Sequence, residues 1–392
     1  MAISRKSSRD FLLAGAFLLV VVLAVFLIQK PSETNRPVEK IEARSPIEST
    51  SRQPTRTRET KAASEPATTA SPDTAIAALI RSTLEKFRAN NDPDQAREIL
   101  RLLREGIRQG PEDATAAAIL DFLKTGDDAL TKLPFVVGPD GMMDTVPSLR
   151  TALLDLLPSL DPISALRLAR ELMDKRTSPD EYALSLRNLA WNDLNGDLRT
   201  ELTGRFMDLL ATPWLDQPSA GFLESFDIAV EVGGEEVFDK LISLTKGADK
   251  ALNQAAFISI DRMILRDPSL LAAAADPAWM DFAPKQRASL LSRLDITQPD
   301  QRVIFSRYVA STHAEGELDY FAKIFPNGNY LYGHRLVTTD DATPTIDEVM
   351  AKDAAVLGEL GALEATLPEE GKAAIRKIRQ RLEKSAVGNP AP

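Results

Sequence analysis

DPISALRLARELMDKRTSPDEYALSLRNLAWND, residues 161–193, decides the fold class of this 392-residue chain. The stretch contains two helix start signals, Asp161-Pro162 and Ser178-Pro179. In each, the Asp or Ser side chain can accept a hydrogen bond from a free amide, while proline takes the first helical position, where its missing N–H is not needed. Glu181 stands three residues after Ser178, so we expect it to complete a capping box. The stretch therefore predicts two helices joined by a short turn.

Each predicted helix carries one stripe of apolar residues at the 3.6-residue period. The stripes of these two helices, and of a third over residues 93–109, comprise Ile163, Leu166, Ala169, Leu172 and Met173; Tyr182, Leu186, Leu189 and Ala190; and Ala96, Ile99, Leu100, Leu103 and Ile107. A helix with a single apolar face must bury it against a neighbour. We therefore predict antiparallel helix pairs of about 35 to 40 residues that stack on one another.

The same start signals recur at Ser71-Pro72, Asp92-Pro93, Asp267-Pro268 and Asp276-Pro277. In its length and its helix-turn-helix layout, the segment 161–193 resembles a repeat of the HEAT type. The resemblance implies an all-α body of antiparallel helical hairpins, stacked as an alpha-solenoid or as an irregular helical array. We place this body at residues 73–385 and expect a disordered tail at 386–392.

Residues 133–147, LPFVVGPDGMMDTVP, interrupt the helical pattern with three prolines and two glycines. A loop of this length is either a subdomain boundary or a functional loop, and we place a soft boundary here. Asp140 and Asp144 supply two carboxylates, fewer than the six or more oxygens that calcium requires. We therefore predict a turn, with Gly141 at a positive φ angle, and no metal site.

The charge of the chain excludes some partners. The net charge is -10, but residues 1–75 contain 11 Lys or Arg against 8 Asp or Glu, which leaves the rest of the chain at -13. Binding to nucleic acid depends on neutralising phosphates with Lys and Arg, so we predict no nucleic-acid partner. The chain has no cysteine, which excludes disulfides and thiol nucleophiles.

The amino terminus predicts a membrane anchor. Residues 1–10 contain Arg5, Lys6 and Arg9, and the 18 residues from Phe11 to Ile28 are uncharged. A helix of that length spans about 27 Å, close to the hydrocarbon thickness of a bilayer. A cleaved signal peptide is the alternative, but the sequence FLIQKPSE after Val25 offers no small-x-small cleavage site. The basic leading segment places residues 1–10 in the cytoplasm.

Residues 29–72 are rich in Pro, Ser and Thr and poor in apolar residues, which predicts a disordered linker. The expected arrangement is a single-pass protein of a bacterial inner membrane, anchored in the lipid bilayer through residues 11–28. Its helical body would face the periplasm.

The region 305–341 differs in composition from the rest of the body. It contains both histidines, and seven aromatic residues lie between Phe305 and Tyr332. These residues either pack the end of the helical array or line a ligand site, because rigid aromatic rings provide contact area at low entropic cost. The candidate binding residues are Tyr308, His313, Tyr320, Asn329, Tyr330, Tyr332, His334 and Arg335.

From these patterns we predict a membrane-tethered scaffold that binds another envelope protein or an extended peptide. The alternative is an enzyme acting on cell-wall polymer, or a glycan-binding protein, that uses the region 305–341. In the enzyme, Glu315 or Glu317 would act as the acid, and His334 or the tyrosines would hold the substrate. The sequence contains no Gly-x-Ser-x-Gly elbow and no phosphate loop, and we predict no catalytic residue and no cofactor.

Overall fold

The computed structural model describes residues 72–138, 141–193, 195–247, 249–275, 282–327, 336 and 344–388. The chain divides into two units, Met1–Pro66 and Ala67–Pro392, and all the described residues belong to the second. Helices dominate this unit, so the predicted all-α class is confirmed. Within the described ranges, no helix combines the length and apolarity needed to cross a bilayer. The predicted anchor at residues 11–28 and most of the predicted linker lie outside them.

The helices follow one another with short connections. In chain order the α-helices are α1 (Pro72–Ala89), α2 (Pro93–Gln109), α3 (Glu112–Thr125), α4 (Leu149–Leu160), α5 (Pro162–Lys175), α6 (Pro179–Trp191), α7 (Arg199–Leu210), α8 (Ala220–Glu224), α9 (Asp227–Val232), α10 (Glu235–Leu244), α11 (Lys250–Arg266), α12 (Pro284–Leu291), α13 (Pro299–Ala310), α14 (Glu317–Ile324), α15 (Ile346–Glu364) and α16 (Glu369–Gly388). Two 3₁₀ helices cover Pro213–Asp216 and Pro268–Ala275.

Three of the predicted helix starts, at Asp92, Asp161 and Ser178, are found where the sequence placed them. Asp267-Pro268 begins a 3₁₀ helix instead, and Ser71 and Asp276-Pro277 lie outside the described residues. Asp92 accepts a hydrogen bond from the amide of Asp94, Asp161 from that of Ser164, and each is followed by proline. Ser178 likewise accepts from the amide of Glu181. The predicted capping box is wrong in its second half, however. The Glu181 carboxylate does not bond back to the cap but forms an ion pair with a residue of α4.

Most residues of the predicted apolar stripes of α2, α5 and α6 are buried, whereas Ile99, Leu166 and Ala190 are half-buried. Ile163 is an exception, because 79% of it is exposed. Its neighbours Ser164 and Ala165 in the first turn of α5 are buried, so the contacts reach this turn and Ile163 lies off the buried face. The predicted stripe was therefore misplaced at the start of α5, where the buried apolar residue is Ala165 and not Ile163.

Adjacent helices pack in pairs, among them α5 with α6, α10 with α11 and α15 with α16. Helices two positions apart also touch, as α4 does with α6, and α12 with α14. Buried apolar side chains form two clusters. The amino-terminal core contains residues from Ile76 to Leu172 together with Leu184 and Leu336, and the carboxy-terminal core contains most of those from Met173 to Leu382.

The segment 133–147 forms a small antiparallel hairpin of β1 (Val136–Val137) and β2 (Met143–Thr145). Gly141 has a φ of 79°, as predicted for the turn. Phe135, Val137 and Met143 are buried in the amino-terminal core. The hairpin thus packs against helices that precede it and helices that follow it in the sequence. The subdomain boundary predicted at residues 133–147 stays a prediction.

Candidate binding site

Two of the predicted site residues, Tyr308 and His313, meet in a buried cluster around Glu317. Arg287 of α12 binds the Glu317 carboxylate with two hydrogen bonds, at 2.6 Å from Nε and 2.5 Å from Nη2. The Tyr308 hydroxyl donates to Oε1 of Glu317 at 3.0 Å. Nδ1 of His313 lies 3.7 Å from the same oxygen, and its ring meets that of Tyr308 edge-on. Neither ring nitrogen of His313 has a hydrogen-bond partner among the described residues.

The electrostatics of this cluster hold Glu317 ionised. Burial alone would raise the pKa of Glu317, but the hydrogen bonds and charge of Arg287 outweigh it and keep the pKa below its usual range. Burial, together with the adjacent Glu317 carboxylate, raises the pKa of Tyr308. A carboxylate fixed in this state is poorly suited to donate a proton, the role that the enzyme alternative gives Glu317. Its other candidate acid, Glu315, is exposed.

The aromatic residues nearby form core. Phe305, Phe321 and Phe325 are fully buried, with ring centroids 4.9 to 5.9 Å apart. Tyr320 of α14 is half-buried against the same core, and Nζ of Lys285 lies 5.8 Å from its ring centroid. Five of the predicted binding residues lie outside the described residues, and as binding residues they stay a prediction: Asn329, Tyr330, Tyr332, His334 and Arg335.

A series of buried ion pairs connects segments that are distant in the sequence. In each pair an arginine binds an Asp or Glu that lies 30 to 35 residues away in the sequence, and both side chains are at most 9% exposed. We call these five pairs the ion-pair series: Arg150–Glu181, Asp155–Arg187, Asp227–Arg262, Asp261–Arg293 and Arg287–Glu317.

Two pairs of the series join α4 and α6, and one of them, Asp155–Arg187, is the most deeply buried of the five. Arg187 is 0% exposed and its Nη1 lies 2.6 Å from Oδ1 of Asp155, which is 2% exposed. Arg187 also donates to the carbonyl of Gly141 in the β-hairpin, and its guanidinium stacks 4.1 Å from the ring of Trp191. Burial raises the pKa of Asp155 and lowers that of Arg187, although each opposes the shift of the other. The pair therefore joins α4, α6 and the hairpin, at an electrostatic cost.

More exposed pairs repeat the same spacing on neighbouring helices. Arg170 binds Glu201 with two hydrogen bonds of 2.9 Å, and Arg205 binds Asp174, in both cases between α5 and α7. The spacing was missed in the sequence, although a signal for it exists. The charged residues of the series stand inside apolar helical runs such as ALLDLL and LSLRNLA, where a solvent-facing charge is not expected.

A cleft lies between α8 and α11, and one pair of the ion-pair series, Asp227–Arg262, forms part of its lining. Its volume is about 350 Å³. We call it the Glu224 cleft, and its lining residues are Phe135, Ala220, Leu223, Glu224, Phe226, Asp227, Ala251, Gln254, Ala255, Ile258, Ser259 and Arg262. Leu223 and Ile258 are half-buried, whereas Ala251 and the polar Gln254 are exposed, so the walls of the cleft are apolar and its mouth is partly polar.

Charged groups lie at the buried end of the Glu224 cleft. Glu224 is 7% exposed, and burial raises its pKa to about 8. Asp227 and Arg262 form an ion pair there, and the hydroxyl of Ser259 donates to the carbonyl of Phe226. The described lining therefore has two carboxyl groups and one guanidinium.

The position of Glu224 is fixed by the way α8 begins. Ser219 caps the helix by accepting from the amide of Phe222, and its own hydroxyl donates to Asp180 of α6 at 2.8 Å. Gly221 lies against the Asp180 carboxylate so closely that a Cβ on this glycine would clash with it. The first turn of α8 is thereby held against α6, with Glu224 in the following turn directed to α11.

The arginines on the exposed face of α2 have local partners. Arg97 binds Asp94, and Arg101 binds both Glu98 and Glu105, with N···O distances of 2.6 to 2.9 Å. This face is therefore largely charge-compensated. Among the described residues, no group of three or more His, Asp or Glu side chains is arranged to hold a metal ion.

No protein-family model and no curated protein matches this chain. A solved structure described as "Computational Design of Self-Assembling Cyclic Protein Homooligomers" is similar over 81% of this chain and 94% of its own. The two chains share 10% identity, and the TM-score is 0.12. A likeness with so low a TM-score carries no conclusion about fold or assembly.

Proposed function

We propose that this protein is a membrane-tethered scaffold that binds an extended segment of another protein or a peptide in the bacterial cell envelope. Its helices would stack as an alpha-solenoid of HEAT-like repeats. Residues 11–28 would anchor it in the inner membrane, and the linker would carry the body into the periplasm.

The ion-pair series supports the repeat part of this proposal. Stacked repeats bury each unit against the next, so equivalent helices contact one another at a constant sequence separation. The separations of 30 to 35 residues in the series agree with one helix pair per repeat. Arrays of this kind present long surfaces of side chains, and binding of extended chains is a common use of such surfaces.

The Glu224 cleft is the single observation that carries the binding part. Clefts that hold ligands are mostly apolar, contain a few convergent polar groups and usually have volumes of about 300 to 1,000 Å³. This one has apolar walls and buried polar groups at one end, and its volume of about 350 Å³ is at the small end of that range. It suits one or two side chains of a polypeptide better than a large cofactor.

Site-specific crosslinking tests the proposal. A photoreactive residue at the exposed Ala251, at the mouth of the cleft, is expected to form adducts with a defined polypeptide in native membranes. The matched control places the same group at Val303, which is 56% exposed on α13 and away from the cleft. Mass spectrometry would identify the partner, and crosslinking from the partner's side would verify it. Absence of a polypeptide adduct at Ala251, or equal adducts at both positions, contradicts the proposal.

The alternative, an enzyme or binder of cell-wall glycan that uses the region 305–341, stays a prediction. Glu317 is engaged by Arg287 and Tyr308 in the interior, and none of the described contacts favours catalysis there. Binding of purified cell-wall polymer, lost on substitution of Tyr320, would favour this alternative instead.

A further inference from the structure

We propose that a groove between α2 and the β-hairpin binds an acidic segment of a polypeptide, with two carboxylates on alternate residues of an extended chain. The groove has a volume of about 410 Å³. We call it the Arg108 groove, and its lining residues are Arg97, Leu100, Arg101, Arg104, Glu105, Arg108, Gln109 and Asp144. It shares no lining residue with the Glu224 cleft, so this inference goes beyond the proposed function and does not depend on that cleft.

The charge of the Arg108 groove favours an anion. Its described lining contains four arginines and two acidic residues, Glu105 and Asp144, which gives an excess of two positive charges. The chain beyond residue 75, in contrast, has a net charge of -13. An acidic ligand is therefore attracted at this groove and repelled by the body as a whole, and such electrostatic complementarity gives specificity.

Two of the four arginines are available to a ligand. Arg97 and Arg101 are engaged in the exposed ion pairs of α2, whereas Arg104 and Arg108 form no ion pair with a described residue. Arg104 is half-buried, and its Nη2 donates to the carbonyl of Met143 at 2.5 Å. Arg108 is exposed. The hairpin thus holds one guanidinium in place, while the other can adjust to a ligand.

The spacing of Arg104 and Arg108 fits carboxylates on alternate residues. The two arginines are four residues apart on α2, which separates them by about 6 Å along the helix axis. In an extended chain, the side chains of residues i and i+2 point to the same side and lie about 7 Å apart. Each guanidinium can bind one carboxylate with two parallel hydrogen bonds. Carboxylates on adjacent residues would point to opposite sides, so only one of them could reach the groove.

The two acidic residues of the lining differ in their effect on a ligand. Glu105 accepts hydrogen bonds from Arg101 and Gln109, so its charge is already compensated. Asp144 is exposed on the hairpin side of the groove, where its carboxylate would repel an acidic ligand. Asp144→Asn should therefore strengthen binding by about twofold to fivefold, the range of an exposed charge interaction.

The test compares three peptides, each titrated at pH 7 into the full-length protein in phosphatidylcholine nanodiscs. The first is acetyl-Ala-Glu-Ala-Glu-Ala-amide, and the second, acetyl-Ala-Gln-Ala-Gln-Ala-amide, is its neutral analogue. The third, acetyl-Ala-Glu-Glu-Ala-Ala-amide, has the same charge in a different spacing. Binding is followed by the methyl resonances of Leu100, which lines the groove.

We expect the first peptide to bind about tenfold more tightly than the neutral one, because two charge-assisted contacts are lost in the latter. It should bind about threefold more tightly than the peptide with adjacent glutamates, which keeps one of these contacts. Added salt should weaken the binding of both acidic peptides, because it screens exposed charges.

Variants locate the effect. Arg108→Gln removes an exposed guanidinium and should abolish the preference for the spaced acidic peptide, whereas Asp144→Asn should increase the affinity for it. Arg307→Gln is the matched control, because it removes an exposed arginine of α13 that does not line the groove, and it should change nothing. The dispersion of the methyl resonances reports whether each variant is folded.

Equal affinity for the acidic and the neutral peptide, equal affinity for the two spacings, or a preference that survives Arg108→Gln overturns this inference. Nanodiscs that contain phosphatidylglycerol test whether the groove instead contacts lipid phosphates. A shift of the Leu100 resonances that requires these lipids and Arg108, without binding of the acidic peptide, would assign the groove to a membrane surface and overturn the inference as well. Crosslinking at Ala251 tests the proposed function separately, because it reports on the Glu224 cleft.

Discussion

Replacing Arg187 by methionine should destabilise the packing of α4 against α6 severely, although methionine has almost the same length. The substitution leaves the carboxyl of Asp155 at 2% exposure, without the guanidinium that lies 2.6 Å from it. Removing one partner of a buried ion pair costs about 3 to 5 kcal/mol, because the remaining charge must be neutralised or hydrated. The lost hydrogen bond to the carbonyl of Gly141 adds to this cost.

The double variant Asp155→Val/Arg187→Met should recover most of the loss. Burial shifts the pKa values of both partners in the direction that favours their neutral forms, so the desolvation penalty of the pair offsets much of its electrostatic attraction. The free energy of unfolding of the apolar double variant is therefore expected to lie within about 1 kcal/mol of that of the wild type. The double-mutant cycle should then give a coupling energy of at least about 2 kcal/mol.

Hydrogen–deuterium exchange of peptides from α4 and α6 measures the local opening free energies. Arg101→Met is the control, because its ion pairs with Glu98 and Glu105 are exposed, and it should leave exchange in α2 unchanged. If Arg187→Met is as mild as Arg101→Met, or if the double variant is as unstable as the sum of the two single ones, buried pairing does not hold these helices in register.

Three further predictions concern stability. Because folding raises the pKa of Glu224 from 4.5 to about 8, its contribution to stability is largest below pH 4.5 and is lost as the pH rises to 8. In urea unfolding, the free energy of unfolding of Glu224→Gln should equal that of the wild type in acid and exceed it by about 3 kcal/mol at pH 7. His313→Phe keeps the ring contact with Tyr308 but removes two buried ring nitrogens that lack hydrogen-bond partners among the described residues. The melting temperature should therefore stay the same or rise. A drop of several degrees would show that the imidazole of His313 makes a stabilising polar interaction. Gly221→Ala forces a methyl group against Asp180 and should cost about 1 to 3 kcal/mol, measured as faster exchange in α8, whereas Gly204→Ala, in open space on α7, should not.

Local features of the sequence predicted the helices well. The starts at Asp92, Asp161 and Ser178 depend on side chains that bond to amides two or three residues away, so neighbouring residues suffice to identify them. The partner of Glu181 did not follow from the same reasoning. Its capping role was plausible locally, but Arg150, 31 residues earlier, binds it in the folded chain.

The candidate site was harder to predict than the fold. Tyr308 and His313 do come together, yet the residues that complete their cluster include Arg287, which no nearby motif marks. Glu224 was overlooked because α8 and α9 contain only 5 and 6 residues, too few to show a helical period. The residues that surround Glu224 belong largely to α11. No short segment of the sequence indicates which helices pack against one another, so this contact could not be predicted.

The ion-pair series limits how the number of helices in this protein can change. A repeat protein is usually shortened or extended by whole helix pairs, because each unit contacts only its neighbours. Here Asp261 of α11 binds Arg293, and the adjacent Arg262 binds Asp227, so α11 shares a charge pair with the helices on both sides of it. Excision of α11 would leave the Asp227 carboxylate on one side and the Arg293 guanidinium on the other, and the shortened chain would have to bring these two groups together to keep both charges paired. A viable deletion or duplication must therefore place each buried carboxylate opposite an arginine, which constrains the order of the helices as well as their number.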